Sequence, residues 1–359
     1  MKYWGILLLC VVVLLGGCRN KQEAESLEPE VEQEEVEIIE AEEPEQIEED
    51  TVEEEFPFFT PLSGEPAKEQ VLNRPVVVTI NNHPLARPQS GLKEADIIYE
   101  MLAEGSVTRL LAVYQSEYPG RVGPIRSARD YFIHVAKGFD AFYIAHGYSP
   151  DAKSMLNRGE IAHMNGMQYD GTYFQRSSAR KAPHNSYSSG GDIVKGAEKV
   201  GTALTLEEDN LPSLHFSEDV TSVDETEEAG SVTVSFSSDR QFIHHYSYDH
   251  DTGFYSRETA GLRTVDAETS EELQLANVVF LEMPHRVIDS EGRLALNLSD
   301  GGNAWLFRDG KRQSVEWINE DGLLVVVSGE KPVALKPGQT WVHFIPAHRG
   351  LEAMVTYTN

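Results

Sequence analysis

The sequence is poor in cysteine. Its 359 residues include only Cys10 and Cys18, both close to the N-terminus. The chain after residue 18 therefore contains no thiol, which excludes disulfide bonds, thiolate metal sites and cysteine nucleophiles from it. This composition suits an oxidising compartment, where stray thiols are readily lost.

Basic residues are also scarce. The chain has 30 Lys and Arg residues against 59 Asp and Glu residues, which gives a formal net charge of −29. Such a chain lacks the positive surface that displaces counterions from a phosphate backbone, so we expect no nucleic-acid partner. The hydrophobic content of 40% nevertheless indicates an ordered body rather than a wholly disordered chain.

Long hydrophobic runs are absent except at the N-terminus. Lys2 precedes an apolar run from Trp4 to Leu15, which is shorter than the about 20 residues that a membrane-spanning helix needs. Its length is typical of a signal peptide. The run ends in Leu15-Gly16-Gly17-Cys18, which is similar to the lipobox of bacterial lipoproteins.

These features predict a lipoprotein signal peptide over residues 1–17. Cys18 would carry diacylglycerol and further acyl chains such as palmitate, and several buried chains make a lasting membrane anchor. The protein would then be lipid-anchored to the cell membrane and would face the extracytoplasmic side. The alternative is an ordinary signal peptide, or a stub anchor, with a chance cysteine.

The segment that follows has almost no apolar surface. Residues 19–55 contain no aromatic residue and hold 18 acidic residues against two basic ones. Because like charges repel and little surface is available for burial, we predict a disordered acidic tether over residues 18–55. A Glu-rich helix is the alternative, but Pro29 and Pro44 interrupt it.

The remaining chain shows two patterns. Over residues 56–212, apolar runs alternate with helical patterns, which predicts an α/β (α+β) N-terminal domain. Over residues 213–359, short alternating runs are separated by Asp-Gly turns, which predicts a mostly-β C-terminal domain. In the first domain we predict strands over 75–80, 110–116 and 141–146, and helices over 91–102, 127–138, 151–157 and 191–201, with Ser127 as the cap of the second helix.

One stretch runs against the overall charge. Residues 119–185 carry nine basic and five acidic residues, a net charge of +4. The side chains in it that suit an anionic ligand are Arg126, Arg129, His146, Arg180, His184 and Asn185. We predict a ligand-binding groove from them. The alternative is that these arginines pair with buried carboxylates and that the histidines serve only as loop residues.

Catalysis by this stretch is a second hypothesis. His146 follows a predicted strand, at the position where α/β proteins place their sites. A histidine there could act as a general base, and the neighbouring arginines could stabilise the anion that forms. His146 and His184 are therefore the candidate catalytic residues. The chain has no Gly-x-Ser-x-Gly, Walker, His-Glu-x-x-His or Ser-x-x-Lys motif, and the last absence counts against a penicillin-binding enzyme.

Cofactors and metals are poorly supported by the sequence. Asp249-x-Asp251-x-Gly253 resembles the start of a calcium loop but lacks the later glutamate, so we predict a hairpin turn there. His244 and His245 are adjacent in a predicted strand and point to opposite faces, so they cannot bind one metal ion together. Trp305, Trp317 and Trp341 are predicted to be core residues rather than a carbohydrate platform. We expect no metal and no cofactor.

Five long and specific stretches carry a family resemblance. They are Asn81–Leu92, Ala95–Glu100, Val122–Arg129, Ala182–Asn185 and Pro337–Val342. Together they resemble the YerB-like family of bacterial lipoproteins, which has an N-terminal domain of unknown function and an associated C-terminal domain. The resemblance implies a lipoprotein of the cell envelope of Gram-positive bacteria and suggests a link to peptidoglycan synthases, without assigned catalytic residues.

Two functions are consistent with these observations. The first is a non-catalytic binding or accessory lipoprotein of the cell envelope that regulates peptidoglycan synthesis. Its partner would be a cell-wall synthase or an anionic envelope ligand. The alternative is a cell-wall-modifying hydrolase or transferase with a His/Arg site in the N-terminal domain. The alternative requires the imidazoles and guanidiniums to converge in one cleft.

Overall fold

The computed structural model describes residues 56–218 and 226–359. The predicted signal peptide, Cys18 and the tether predicted over residues 18–55 lie outside the described residues. Within the described ranges, no helix is both long and apolar enough to cross a membrane.

Residues 56–218 alternate strands and helices. The strands are β1 (Phe58–Phe59), β2 (Pro66–Ala67), β3 (Val76–Asn81), β4 (Ile97–Glu104), β5 (Val107–Tyr114), β6 (Phe142–Ala145), β7 (His163–Asn165), β8 (Gln175–Arg176) and β9 (Ser186–Tyr187). The α-helices are α1 (Asp130–Gly138), α2 (Pro150–Asn157), α3 (Gly166–Tyr169) and α4 (Gly190–Val200). Single 3₁₀ turns lie at Pro84–Ala86 and Glu208–Asn210.

Residues 226–359 are mostly strands. They are β10 (Thr226–Glu228), β11 (Ser231–Ser235), β12 (Ile243–Asp249), β13 (Phe254–Thr259), β14 (Leu262–Arg263), β15 (Asn277–Met283), β16 (His285–Val287), β17 (Leu294–Leu296), β18 (Gly302–Arg308), β19 (Lys311–Glu320), β20 (Leu323–Ser328), β21 (Lys331–Pro332), β22 (Thr340–Pro346) and β23 (Val355–Thr358). The short helix α5 (Leu351–Met354) precedes β23, and a 3₁₀ turn lies at Arg240–Phe242. The predicted α/β first part and mostly-β second part are confirmed.

One mixed sheet of 12 strands runs through both parts. Its order is β21-β20-β19-β18-β15-β22-β4-β5-β3-β6-β7, with β10 beside β19. Strand β22 lies between β15 and β4 and is parallel to both. A strand from the end of the chain therefore pairs with β4 of the first part. The second sheet, β14-β13-β12-β11-β23, belongs to the second part alone.

The helix predicted over residues 91–102 is wrong. Residues 97–104 form β4, a strand whose first seven residues are buried. The cause is its central position, because β5 pairs with one edge and β22 with the other. A strand buried on both faces shows no clean alternation of apolar and polar residues, so its periodicity does not separate it from a buried helix.

The start of the next helix also differs from the prediction. Helix α1 begins at Asp130, and its N-cap residue is Arg129, which makes no capping hydrogen bond through its side chain. Ser127 does not cap it, because residues 125–128 are bound to other strands: Ile125 N donates to Ser186 O (2.6 Å) and Arg126 N to Thr79 O (2.9 Å). Arg126 and Arg129 therefore do not share a helix.

Other predicted elements are confirmed. Helix α2 begins after Ser149, whose hydroxyl accepts a hydrogen bond from Ala152 N, as expected of an N-cap serine. Helix α4 ends at Gly201, which adopts a φ of 76°, a left-handed conformation that glycine adopts without strain. Residues 249–253 form the turn between the antiparallel strands β12 and β13. Trp305, Trp317 and Trp341 are buried core residues.

A buried carboxylate links β4 to the second part of the chain. Glu100 is 0% exposed. Its oxygens accept hydrogen bonds from Asn82 Nδ2 (2.8 Å), Thr108 Oγ1 (2.7 Å), Arg257 Nη2 (2.9 Å) and Trp341 Nε1 (3.1 Å), and His244 Nε2 lies 2.9 Å from Oε1. A fully buried charge is tolerated only when it is paired and hydrogen-bonded, and this one is both.

Two neighbouring side chains, His244 and Arg257, control the electrostatics of Glu100. Burial alone would raise the pKa of the carboxyl, but His244 and Arg257 outweigh burial and hold the pKa well below its ordinary value. Burial also lowers the pKa of His244 to about 4, so its imidazole is neutral at pH 7. The permanent charge opposite Glu100 is therefore that of Arg257, whose guanidinium also lies 4.4 Å from the ring centre of Trp341.

Candidate functional site

Three parallel strands end at one edge of the main sheet. Strand β6 pairs in parallel with both β3 and β7. Their carboxyl ends, at Asn81, Ala145 and Asn165, therefore lie on the same side, where α/β proteins place their sites. His146 directly follows β6, as the sequence predicted.

A loop brings Arg126 to this edge. Its backbone N–H donates to Thr79 O of β3 (2.9 Å), and its carbonyl oxygen accepts from His146 N (2.9 Å). The neighbouring Ile125 forms an isolated bridge with Ile80. Because both backbone polar groups of Arg126 are used, the position of the residue is fixed and only its side chain is free to interact.

The guanidinium of Arg126 has no recorded partner among the described residues. The structure records no hydrogen bond or ion pair from this side chain to any residue of the ranges 56–218 and 226–359. Its surface is half-buried, and burial together with the nearby charge of Arg109 lowers its pKa to about 10. The group remains protonated at pH 7, so the site holds a partly desolvated positive charge without a counter-charge.

Two imidazoles lie side by side next to this charge. The rings of His83 and His184 have centroids 4.7 Å apart and planes inclined by 30°. The Oδ1 atom of Asn81 accepts from His83 N (3.0 Å), so its Nδ2 faces His184 Nδ1 at 2.8 Å. An amide nitrogen only donates, so Nδ1 of His184 accepts. The proton of neutral His184 is thereby assigned to Nε2.

The same tautomer holds for His83. Its Nδ1 accepts a hydrogen bond from Leu85 N at 3.1 Å, so the proton of the neutral ring is on Nε2. Neither Nε2 atom has a recorded partner in the described part of the chain. His83 and His184 therefore provide two adjacent N–H donors that are free to bind a ligand.

His146 is bound on both ring nitrogens. Its Nε2 lies 2.9 Å from Arg176 Nη2, and its Nδ1 lies 2.8 Å from Ser186 Oγ. A guanidinium can only donate, so Nε2 accepts and Nδ1 carries the proton. Arg176 is held in turn by Asp170, through Nε (3.0 Å) and Nη2 (2.9 Å). Both ring nitrogens of His146 are thus used in hydrogen bonds within the protein, next to the Nε2–H donors of His83 and His184.

The pKa values show that these groups share one environment. Burial is the largest cause that lowers the pKa of His83, His146 and His184, and the charge of Arg126 lowers the pKa of all three further. The three imidazoles are therefore neutral at pH 7, and each lies within range of the Arg126 charge.

Arg180 and Asn185 lie at the border of this group. Arg180 donates to Tyr187 Oη (2.7 Å) and to Pro88 O (2.6 Å), and its charge also lowers the pKa of His184. No carboxylate pairs with Arg180 in the described ranges. Asn185 Oδ1 accepts from Arg176 Nη1 at 3.1 Å, so Asn185 supports the chain that holds His146.

Arg129 does not join the group. Its side chain is 7% exposed and forms an ion pair with Glu104, and its Nη1 donates to Ala128 O at 2.9 Å. Arg129 therefore follows the alternative prediction, in which an arginine of this segment pairs with a carboxylate. Of the residues predicted as a ligand site, the structure brings Arg126, His146, Arg180, His184 and Asn185 together.

Two members of the group were missed by the sequence reasoning. His83 stood in the stretch Asn81–Leu92 that carries the family resemblance, and Arg176 began the polar run at 176–187, but neither was given a role. Their contribution depends on chain pairing over long sequence distances, such as the contact of His83 with His184. Metal binding is not indicated: the described residues contain no group of three or more His, Cys, Asp or Glu side chains placed to hold an ion.

Comparisons with known proteins agree with this architecture. The family model described as "Protein of unknown function (DUF3048) N-terminal domain" matches residues 62–203, and the corresponding C-terminal domain model matches residues 232–342. "Putative lipoprotein YerB" of Bacillus subtilis (strain 168) is 40% identical over 288 residues, which cover 80% of this chain and 86% of that protein.

A solved structure confirms the fold. The crystal structure of YerB protein from Bacillus subtilis matches with a TM-score of 0.76 and 38% identity, and the match covers 84% of this chain and 100% of that chain. The two family models leave the region around the predicted boundary at residue 212 unmatched. The chain belongs to the YerB-like family of lipoproteins, whose two domains are those of DUF3048.

Proposed function

We propose that this protein is a lipid-anchored binding protein on the extracytoplasmic side of the cell membrane, and that it holds an anionic group of an envelope partner at Arg126. The observation that carries the proposal is the half-buried guanidinium that pairs with no described residue. Removing such a charge from water is costly unless a counter-charge compensates for it. An anionic ligand would supply that counter-charge.

The anchor is supported by the sequence and by the relative. Leu15-Gly16-Gly17-Cys18 is similar to a lipobox, and the relative from Bacillus subtilis is named a lipoprotein. We expect Cys18→Ala to abolish the incorporation of labelled palmitate, because the acyl chains are attached at that residue. The matched control is Cys10→Ala, which should incorporate the label as the wild type does. Undiminished incorporation by the Cys18 variant would contradict lipid anchoring at this residue.

The geometry of His146 favours binding over hydrolysis or transfer. A histidine that activates Ser186 would have to accept the hydroxyl proton. In the observed network Nε2 accepts from Arg176, so Nδ1 is the protonated nitrogen and faces Ser186 Oγ as a donor. The imidazole is thus in the wrong tautomer for a base toward this serine, and Ser186 is itself buried. No specific contact supports a catalytic role for His184.

The partner belongs to the cell envelope under this proposal. A cell-wall synthase or an anionic wall or lipid-linked glycan would present the anionic group, which would allow the protein to regulate peptidoglycan synthesis as an accessory factor. The rest of the chain is strongly acidic, so the positive segment at 119–185 is the part of the protein that favours contact with an anionic partner.

Crosslinking in cells tests the proposal. The full-length protein and its Arg126→Gln variant would be recovered after crosslinking, and the recovered proteins and glycans compared. The matched control is Arg158→Gln, since Arg158 is a largely exposed arginine paired with Glu160. We expect Arg126→Gln to lose partners that Arg158→Gln retains. Recovery of the same partners with Arg126→Gln as with the wild type would refute a role for this site.

A further inference from the structure

We propose that the Arg126 site selects a doubly charged phosphoryl group, which is bound by the guanidiniums of Arg126 and Arg180 and by the Nε2–H groups of His83 and His184. The inference rests on the proposed function and gives the chemical class of its ligand. Three independent properties of the site support it: its uncompensated charge, the number of its free donors and their tautomers.

The charge of the site matches a dianion. Arg126 and Arg180 both act on the pKa of His184, and neither has a carboxylate partner in the described ranges. Arg176 is paired with Asp170 at 2.9 Å, whereas Arg109 and Arg129 share the single carboxylate of Glu104. Arg87, whose charge also lowers the pKa of His83, donates only to Asn82 and to Gln241 O in the described ranges. With neutral imidazoles, Arg126 and Arg180 therefore contribute at least two positive charges without a carboxylate partner. A carboxylate would neutralise one of them, whereas a phosphomonoester or diphosphate carries up to two negative charges at pH 7.

The free donors match a group with several oxygens. His83 and His184 each direct their Nδ1 to a protein donor, so both have an N–H at Nε2 and their rings are 4.7 Å apart. The guanidinium of Arg126 adds donors with a forked geometry that suits phosphate. A phosphoryl group has three terminal acceptor oxygens and can contact these donors together. A carboxylate has only two oxygens.

The position of the donors also favours a ligand role over a structural one. Asn81 at the end of β3 fixes both imidazoles at once, through His83 N at 3.0 Å and His184 Nδ1 at 2.8 Å. A polar network that orients two rings but leaves their outer nitrogens unused has the form of a preorganised site. Within the described ranges the Arg126 side chain makes no recorded hydrogen bond or ion pair, so no contact there explains its charge as a stabilising one.

Calorimetric titration of the full-length protein in detergent tests the inference. The probes are inorganic phosphate, glycerol 3-phosphate, dimethyl phosphate and acetate, all at one ionic strength and at pH 7.5. We expect the first two probes to bind at least tenfold more tightly than dimethyl phosphate and acetate, because the last two carry a single charge. Arg126→Gln and Arg180→Gln should each weaken phosphate binding at least tenfold, and Arg158→Gln should leave it unchanged.

A second arm separates the two sources of a phosphoryl group. Vesicles of zwitterionic lipid with added phosphatidic acid present a membrane-bound phosphomonoester, and glycerol 3-phosphate presents a soluble one. Binding to the vesicles that soluble glycerol 3-phosphate displaces, and that Arg126→Gln abolishes, indicates a lipid headgroup. Binding of the soluble probe without any binding to the vesicles indicates a free phosphorylated ligand.

The outcomes distinguish this inference from the proposed function. Acetate binding as tight as phosphate binding, or phosphate binding that survives both arginine substitutions, would overturn the phosphoryl assignment. If Arg126→Gln still loses its crosslinked partners in that case, the site binds another anionic group and the proposed function stands. Melting temperatures of the variants within a few degrees of the wild type show that any loss of binding is not due to unfolding.

Discussion

Replacing Arg257 with methionine should lower the free energy of unfolding by about 3–5 kcal/mol, the cost of breaking a buried ion pair by removing one partner. The structure places this change at the upper part of that range. Arg257 is 3% exposed and Glu100 is 0% exposed, so water cannot replace the lost charge. Methionine replaces the aliphatic stem of Arg257 with a flexible apolar chain, which leaves only the guanidinium volume to be filled.

The lost hydrogen bonds add to the effect. Besides Glu100, Arg257 donates to Tyr246 Oη (3.1 Å), Thr259 Oγ1 (3.1 Å) and Thr264 Oγ1 (3.0 Å). These hydroxyl oxygens lose their donor in the variant. Glu100 keeps its neutral donors, but at pH 7 it has no permanent charge left in direct contact, since Arg87 reaches it only through Asn82. We therefore expect the pKa of Glu100 to rise and part of the loss to be recovered at low pH.

Urea unfolding followed by tryptophan fluorescence measures the change, since Trp341 lies directly against Arg257. The matched control is Arg263→Met on the neighbouring strand, where the side chain is 47% exposed and lies 3.8 Å from Glu272. An exposed pair of this kind contributes about 0–1 kcal/mol. The double variant Glu100→Gln with Arg257→Met should be more stable than Arg257→Met alone, because no buried charge is left unpaired.

Two results would refute this reasoning. If Arg257→Met loses no more stability than Arg263→Met, the buried pair is not a stabilising link between the two sheets. If the double variant is as unstable as the single variant, the loss comes from packing rather than from an uncompensated charge.

Lowering the pH and substituting two glycines give further predictions. Burial lowers the folded-state pKa of His285 to about 4, so between pH 6.5 and 4 only the unfolded chain takes up this proton and stability should fall by about 3 kcal/mol. Unfolding midpoints at pH 7 and 4.5 should change less in His285→Gln, and an equal change would contradict this. Gly138→Ala should cost about 1–3 kcal/mol because its Cβ would collide with Gly322 O. Gly191→Ala in α4 would bring its Cβ only to an ordinary contact of 3.9 Å with Ser189 Oγ and should stabilise by about 0.5–1 kcal/mol. Melting temperatures that shift in the same direction in both glycine variants would refute the packing argument.

Local patterns predicted much of the fold because they depend on neighbouring residues. The strands β3, β5 and β6 and the helices α2 and α4 follow from apolar runs, caps and glycines that are visible in the sequence. The sequence predicts a helix over β4 because a strand buried on both faces lacks a period of two, and it contains the charged residue Glu100. The partner that makes Glu100 acceptable in a buried strand is Arg257, which lies 157 residues away. No local pattern contains that information.

The sequence indicated which segment and which residue types form the site, but not which of its arginines are free to bind a ligand. The positive segment and the strand-end position of His146 indicated the correct region. Arg126 and Arg129 are three residues apart and look equivalent in the sequence, yet Arg129 is paired with Glu104, whereas the Arg126 side chain has no recorded partner in the part of the chain that the structure describes. The difference arises because Ile125 and Arg126 are bound to β9 and β3, and Ala128 to the loop after β6, rather than lying in a helix.

The position of β22 has a consequence for biosynthesis. A ribosome reaches Thr340 only after making the 240 residues that follow Glu100 (340 − 100), which takes about 10–50 s at roughly 5–20 residues per second. Until then, the β4 edge that pairs with residues 340–343 has no partner, and open strand edges promote aggregation. The nascent first domain must therefore be shielded or kept unfolded during this interval. By the same reasoning, residues 62–203 expressed alone should aggregate, whereas residues 62–359, which include β22, should not.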